Sequence, residues 1–139
     1  MGSSYFSPRS PDGTEQRRLT QGPGLNCCAR FSPDGKQVAF THQRGKTSIR
    51  TIAVADGKET TVAEQDGANS VEAVCWSPDG KYLAISRFDW EVGPDGKYFK
   101  TADHDSNYRF EIVSLDGKER REIKLQDADV RFMGHADWK

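Results

Sequence analysis

The sequence predicts an all-β chain built of tandem four-stranded antiparallel sheets, and three observations carry that expectation. A ten-residue pattern recurs at a fixed interval, Asp-Gly pairs recur in step with it, and apolar residues alternate around both without any helical period. Arg30-Phe31-Ser32-Pro33-Asp34-Gly35-Lys36-Gln37-Val38-Ala39-Phe40 returns as Cys75-Trp76-Ser77-Pro78-Asp79-Gly80-Lys81-Tyr82-Leu83-Ala84-Ile85, an offset of 45 residues (31 to 76). Self-similarity at such a period marks repeat architectures, in which each unit buries its apolar faces against its neighbours. Asp12-Gly13, Asp56-Gly57 and Asp116-Gly117 precede Phe31, Trp76 and Trp138 by 19, 20 and 22 residues, so Trp138 opens a third copy.

Both markers are turn chemistry. In Ser-Pro-Asp-Gly, proline presets φ for the first central position, aspartate suits the next, and glycine accepts the left-handed conformation that closes the turn. Asp-Gly suits tight hairpins for the same reason. Between the turns, Val38 and Phe40 fall on one face of a strand and Ala39 and Thr41 on the other; Leu83 and Ile85 repeat the pattern.

Taken in order, residues 1–24 read as strands C and D of a preceding unit, with Tyr5 to Thr20 as the strand pair. Residues 25–69 form one unit, with A near Cys27–Phe31, B Gln37–Thr41, C Thr47–Val54 and D Thr60–Glu64. Residues 70–129 form the next, with A near Val71–Trp76, B Tyr82–Arg87, C Phe110–Leu115 and D Arg121–Leu125. Residues 130–139 supply a lone strand A.

The aromatic-Ser-Pro-Asp-Gly-Lys motif followed by apolar-Ala-apolar resembles the repeat of TolB-like, WD-repeat-like bacterial β-propellers. Asp12-Gly13-Thr14-Glu15-Gln16-Arg17-Arg18-Leu19-Thr20 is similar to the C-to-D hairpin of such a blade. The resemblance implies a β-propeller segment of about 2.75 blades, an incomplete ring, since closure takes about four to eight blades. In this reading Phe31, Pro33, Asp34, Gly35, Trp76, Pro78, Asp79, Gly80 and Trp138 are structural repeat positions. Three accounts of the incomplete ring stay open: an excerpt of a longer propeller, self-association to complete a ring, or an open array.

Fold alone names no activity. The resemblance implies a non-enzymatic scaffold that binds a protein or peptide, as TolB does. The alternatives are a detached gating domain of a prolyl-oligopeptidase-type serine peptidase and a calcium-stabilised module. No Gly-x-Ser-x-Gly, no His-Glu-x-x-His and no phosphate-cradling glycine loop occurs.

In an up-and-down blade the A–B and C–D turns share one end, and the B–C and D–A connections share the other. The second unit carries an excursion there, roughly Asp89 to Tyr108, with its own hairpin signal Gly93-Pro94-Asp95-Gly96. Long connections on a rigid scaffold are where binding residues collect. Trp90, Tyr98, Phe99, His104 and Tyr108 are the binding candidates, with Gln21–Gly24, Gln65–Ser70 and Gln126–Asp129 beside them.

Asp103, Asp105 and Asn107 have the alternating spacing that opens a calcium loop, with Glu111 at its ninth position. Tyr108 stands where the sharp turn needs glycine, and Ser114 where a bidentate glutamate belongs. No other cofactor is expected. His135 aligns with Ala73 and Cys28 and reads as a pore-lining or capping residue. Cys27 and Cys28, adjacent in a strand, are expected to face opposite ways as small buried thiols. Arg17-Arg18 and Arg120-Arg121 read as solvated outer-edge charges.

Composition narrows the partners. Hydrophobic content is 35%, low for a packed domain, but three Trp, seven Phe and four Tyr supply large rings to bury. Twenty Lys plus Arg against 21 Asp plus Glu leave a net charge of −1, which gives no electrostatic reason to expect nucleic acid. No apolar run suggests a membrane span. Met1 to Tyr5 shows no signal-peptide pattern, so the stretch reads as cytoplasmic as it stands, or periplasmic within a secreted TolB-like parent.

Overall fold

A computed structural model of the chain describes residues 12–14, 16–65, 69–99 and 108–123. Ten strands run in order: β1 Leu25–Phe31, β2 Gln37–Arg44, β3 Lys46–Ala53, β4 Glu59–Gln65, β5 Asn69–Trp76, β6 Tyr82–Asp89, β7 Glu91–Val92, β8 Tyr98–Phe99, β9 Tyr108–Ser114 and β10 Arg120–Ile123. They form two four-stranded antiparallel sheets, ordered β1-β2-β3-β4 and β5-β6-β9-β10, and a small sheet of β7 and β8. No helix occurs among the described residues.

The turns are built as their residues dictate. Ser32 Oγ donates to Asp34 Oδ1 at 2.6 Å, Lys36 N donates to the same carboxylate oxygen at 3.0 Å, and Gly35 sits at φ 71°. The second copy has Ser77 Oγ at 2.6 Å and Lys81 N at 3.0 Å from Asp79 Oδ1. These bonds, the serine hydroxyl first, hold both carboxyls below the ordinary aspartate range. Val54 N bonds Lys36 O at 2.9 Å and Leu115 N bonds Lys81 O at 3.2 Å, so the A–B and C–D turns share one end of each sheet.

Each sheet is apolar on both sides, as an interior layer must be. Val38, Phe40 and Ile52 cluster with Leu19 on one face of the first sheet. Ala39, Ile49 and Val62 on its other face pack against Val74, Trp76, Leu83, Ile85 and Val113 of the second. The expected division of Val38 and Phe40 from Ala39 is therefore the division between two interfaces. Trp76 closes the inter-sheet contact, its indole Nε1 donating to Arg30 O at 2.9 Å. Gly117 closes it at the outer side, so near β4 that an added Cβ would stand 2.7 Å from Val62 O.

Several sequence expectations need correction. The stretch His42 to Lys46, which the sequence reading leaves between strands B and C, is not a loop: β2 and β3 pair through Arg44 and Lys46 and turn at Gly45, φ 79°. Residues 16–21 belong to no strand ladder, although Leu19 is buried against the first sheet. Arg17 is not simply solvated, since its guanidinium donates to Val54 O and, at 3.3 Å, to Ala55 O. The expected strand C before Asp12, the lone strand A from Val130 and the structural position Trp138 lie outside the described residues.

Candidate functional site

The excursion of the second unit leaves the sheet at the end of β6 and re-enters at β9. Its expected hairpin exists: Glu91 pairs with Phe99 and Val92 with Tyr98. Gly96 N bonds Gly93 O at 2.9 Å, and Lys97 N bonds Asp95 Oδ1 at 3.1 Å. Val92 is exposed on it.

The neck is clasped twice. Phe88, fully buried, meets Trp90 edge-on at 5.2 Å between ring centroids and Tyr108 at 5.0 Å. Such edge-to-face pairs add about 0.5–1.5 kcal/mol each beyond the area they bury. Beside the rings, Asp89 stands between two arginines, with Arg109 Nε donating to it at 2.7 Å and Arg87 Nε lying 3.2 Å away. The Arg87 contact is poorly aligned and is an ion pair rather than a hydrogen bond. Arg109 also donates to Glu122 at 3.0 Å, and its bonds to Asp89 and Glu122 hold its guanidinium still more firmly protonated.

Inward from the neck the charges continue into the interface. Glu111, buried in β9, lies 3.1 Å from Arg87 and 2.6 Å from Arg120. Both arginines also donate to Gln65 Oε1 of the first sheet, at 2.6 and 2.7 Å. Gln65 is 1% exposed, and its Nε2 has no partner among the described residues. Arg120, read from the sequence as a solvated edge charge, therefore spans the two sheets. The base of the excursion is thus wired to the packing of one sheet on the other.

Of the sequence-predicted binding residues, Trp90 and Tyr108 are brought together on Phe88. Tyr98 and Phe99 form β8 of the hairpin. His104 and the calcium candidates Asp103, Asp105 and Asn107 lie outside the described residues, while Glu111 is already held by two arginines. No cluster of three or more His, Cys, Asp or Glu suited to a metal occurs among the described residues. Phe88, Asp89, Arg87 and Arg109 are not among the sequence-predicted site residues, and Glu111 entered only as the ninth position of the calcium loop. A glutamate inside Phe110-Glu111-Ile112-Val113 and an arginine ending Leu83 to Arg87 were the available signal, since a charge on a buried strand needs a partner.

Solved structures share this fold. A TolB of Agrobacterium tumefaciens matches with a TM-score of 0.64 at 23% identity, over 85% of this chain and 40% of that one. The fold is a partial, TolB-like β-propeller. An acylaminoacyl peptidase bound to a chloromethyl ketone matches with a TM-score of 0.58 at 16% identity, over 82% of this chain and 20% of that one. In sequence, the propeller segment is 32% identical over 117 residues to a protein named probable dipeptidyl-peptidase 5 of Arthroderma benhamiae. It is 30% identical over the same length to dipeptidyl-peptidase 5 of Trichophyton schoenleinii. These alignments cover 79% of this chain but 15% of each relative. No family model matches.

Proposed function

We propose that the chain is a stretch of the propeller of a peptidase similar to dipeptidyl-peptidase 5, and that it handles peptide without cleaving it. The observation that carries this reading is the 32% identity across 117 residues, a closer likeness than the 23% of the TolB structure. It raises the peptidase alternative above the free-standing scaffold.

Local geometry supports a larger ring. Trp76 is 7% exposed because the first sheet covers it, whereas its counterpart Phe31 is 56% exposed. Gly117 abuts Val62, whereas its counterpart Gly57 has nothing within 4 Å. In the whole protein another sheet packs on the first at these positions. The clasped excursion, at the end of the sheet opposite the tight turns, is the surface that meets peptide.

The 139-residue chain is expected to release no p-nitroaniline from dipeptide p-nitroanilides, whereas its complete reading frame does so. Release by the chain alone, or a complete frame with no hydrolase domain, would overturn the proposal. The second outcome would favour the other reading, a TolB-like protein-binding scaffold, which the TM-score of 0.64 supports.

A further inference from the structure

Cys27 and Cys28 are adjacent, half-exposed and in no disulfide. In an unbroken strand their side chains would diverge, because successive residues point to opposite faces. β1 is not unbroken. Its ladder to β2 passes from Cys27–Thr41 to Arg30–Ala39, so Cys28 and Ala29 together oppose Phe40. Cys28 sits there at φ 58°, the one non-glycine with positive φ among the described residues. The left-handed position of such a bulge ordinarily belongs to glycine. A strained residue of this kind is a reason to look for a function.

The bulge turns both thiols toward the second sheet. Cys27 Sγ lies 2.8 Å from Thr41 Oγ1, and Thr41 shares the strand face of Ala39, which lines the inter-sheet core. Cys28 packs against that same core, and its Sγ reaches Val71 O of β5 at 3.6 Å. Two neighbouring thiols thus stand on one face, where β1 meets β5, on residues that are only partly buried.

We propose that Cys27 and Cys28 are a redox pair that closes to a ring disulfide when it meets a small disulfide oxidant such as oxidised glutathione. The thiolate of Cys27 attacks one sulfur of the oxidant, and one glutathione thiolate leaves. The thiolate of Cys28 then attacks Cys27 Sγ, forming the Cys27–Cys28 bond and expelling the second glutathione thiolate. The two protein thiols lose two electrons, the oxidant gains them, and the two thiol protons pass to the two leaving thiolates. A strained, exposed disulfide is readily reduced again, which makes the pair reversible. Closure withdraws Cys28 Sγ from Val71 O and loosens the contact between β1 and β5. This pair stands independently of the peptidase reading.

Trypsin releases Cys27 and Cys28 together in the peptide 19–30, separate from Cys75. The folded chain is treated with oxidised glutathione, quenched with iodoacetamide, digested and weighed. The expected product is peptide 19–30 two hydrogens lighter and unalkylated, returning to the doubly alkylated form after dithiothreitol. C28A, or C27A should that variant not fold, is expected to stop at a glutathione adduct on the one thiol left in peptide 19–30. A wild-type peptide that stays doubly alkylated, that stops at glutathione adducts, or that joins Cys75 instead would overturn the assignment.

Discussion

Gly117→Ala and Gly57→Ala are the same change at the same turn position of successive sheets, and the structure separates their costs. Both glycines have positive φ, 71° and 73°, where an alanine is strained by about 1 kcal/mol relative to glycine. At Gly57 the new methyl meets nothing within 4 Å, so that strain is the whole cost. At Gly117 it would stand 2.7 Å from Val62 O, a backbone atom of the neighbouring sheet that cannot swing aside. Overpacking of this kind adds about 1–3 kcal/mol. With a urea dependence of about 1–3 kcal/mol per molar, G117A unfolds about 1 M earlier than G57A. Urea melts of the 139-residue chain, followed by tryptophan fluorescence and circular dichroism, measure the difference. Equal losses in the two variants would refute the stacking of the second sheet's outer turn on β4.

Two further predictions concern Glu111 and His42. E111Q removes the anion between Arg87 and Arg120 and is expected to cost about 3–5 kcal/mol, since breaking a buried pair strands the remaining charges. A urea midpoint unchanged from wild type would contradict that network. His42 donates its Nδ1–H to Asn26 Oδ1 at 2.7 Å, and burial, with the Arg50 charge next, lowers its pKa below 6.5. Its unfolded form therefore takes the proton first: its contribution is complete above pH 6.5 and is lost as pH falls toward the folded value. H42Q is expected to flatten the urea midpoint between about pH 7 and about pH 5 relative to wild type. Parallel profiles for the two proteins would count against it.

Sequence reading recovered the parts of the fold that local chemistry determines. Ser-Pro-Asp-Gly and Asp-Gly specify their turns through hydrogen bonds within five residues, so the strand starts at Gln37 and Tyr82 were legible. The hairpin at Gly93 to Gly96 was legible for the same reason. What escaped it depends on long-range pairing. The bulge that turns Cys27 and Cys28 to one side is set by the register of β1 on β2, and nothing in Asn26-Cys27-Cys28-Ala29 announces it. Arg120 looked like an edge charge because its partners, Glu111 and Gln65, lie on other strands, one of them 55 residues away. The aromatic candidates Trp90 and Tyr108 were recognised by type, but the buried Phe88 that joins them was hidden in an ordinary apolar alternation.

The central claim is that Glu59–Gln65 and Asn69–Trp76 are edge strands of separate, stacked sheets. Proton–proton Overhauser contacts in an isotope-labelled sample test it most directly. Stacked sheets give backbone contacts along β1-β2-β3-β4 and along β5-β6-β9-β10, together with contacts from the Trp76 indole NH to Arg30 and from Gly117 to Val62. Regular cross-strand backbone contacts between β4 and β5 would mean one continuous sheet and would contradict it.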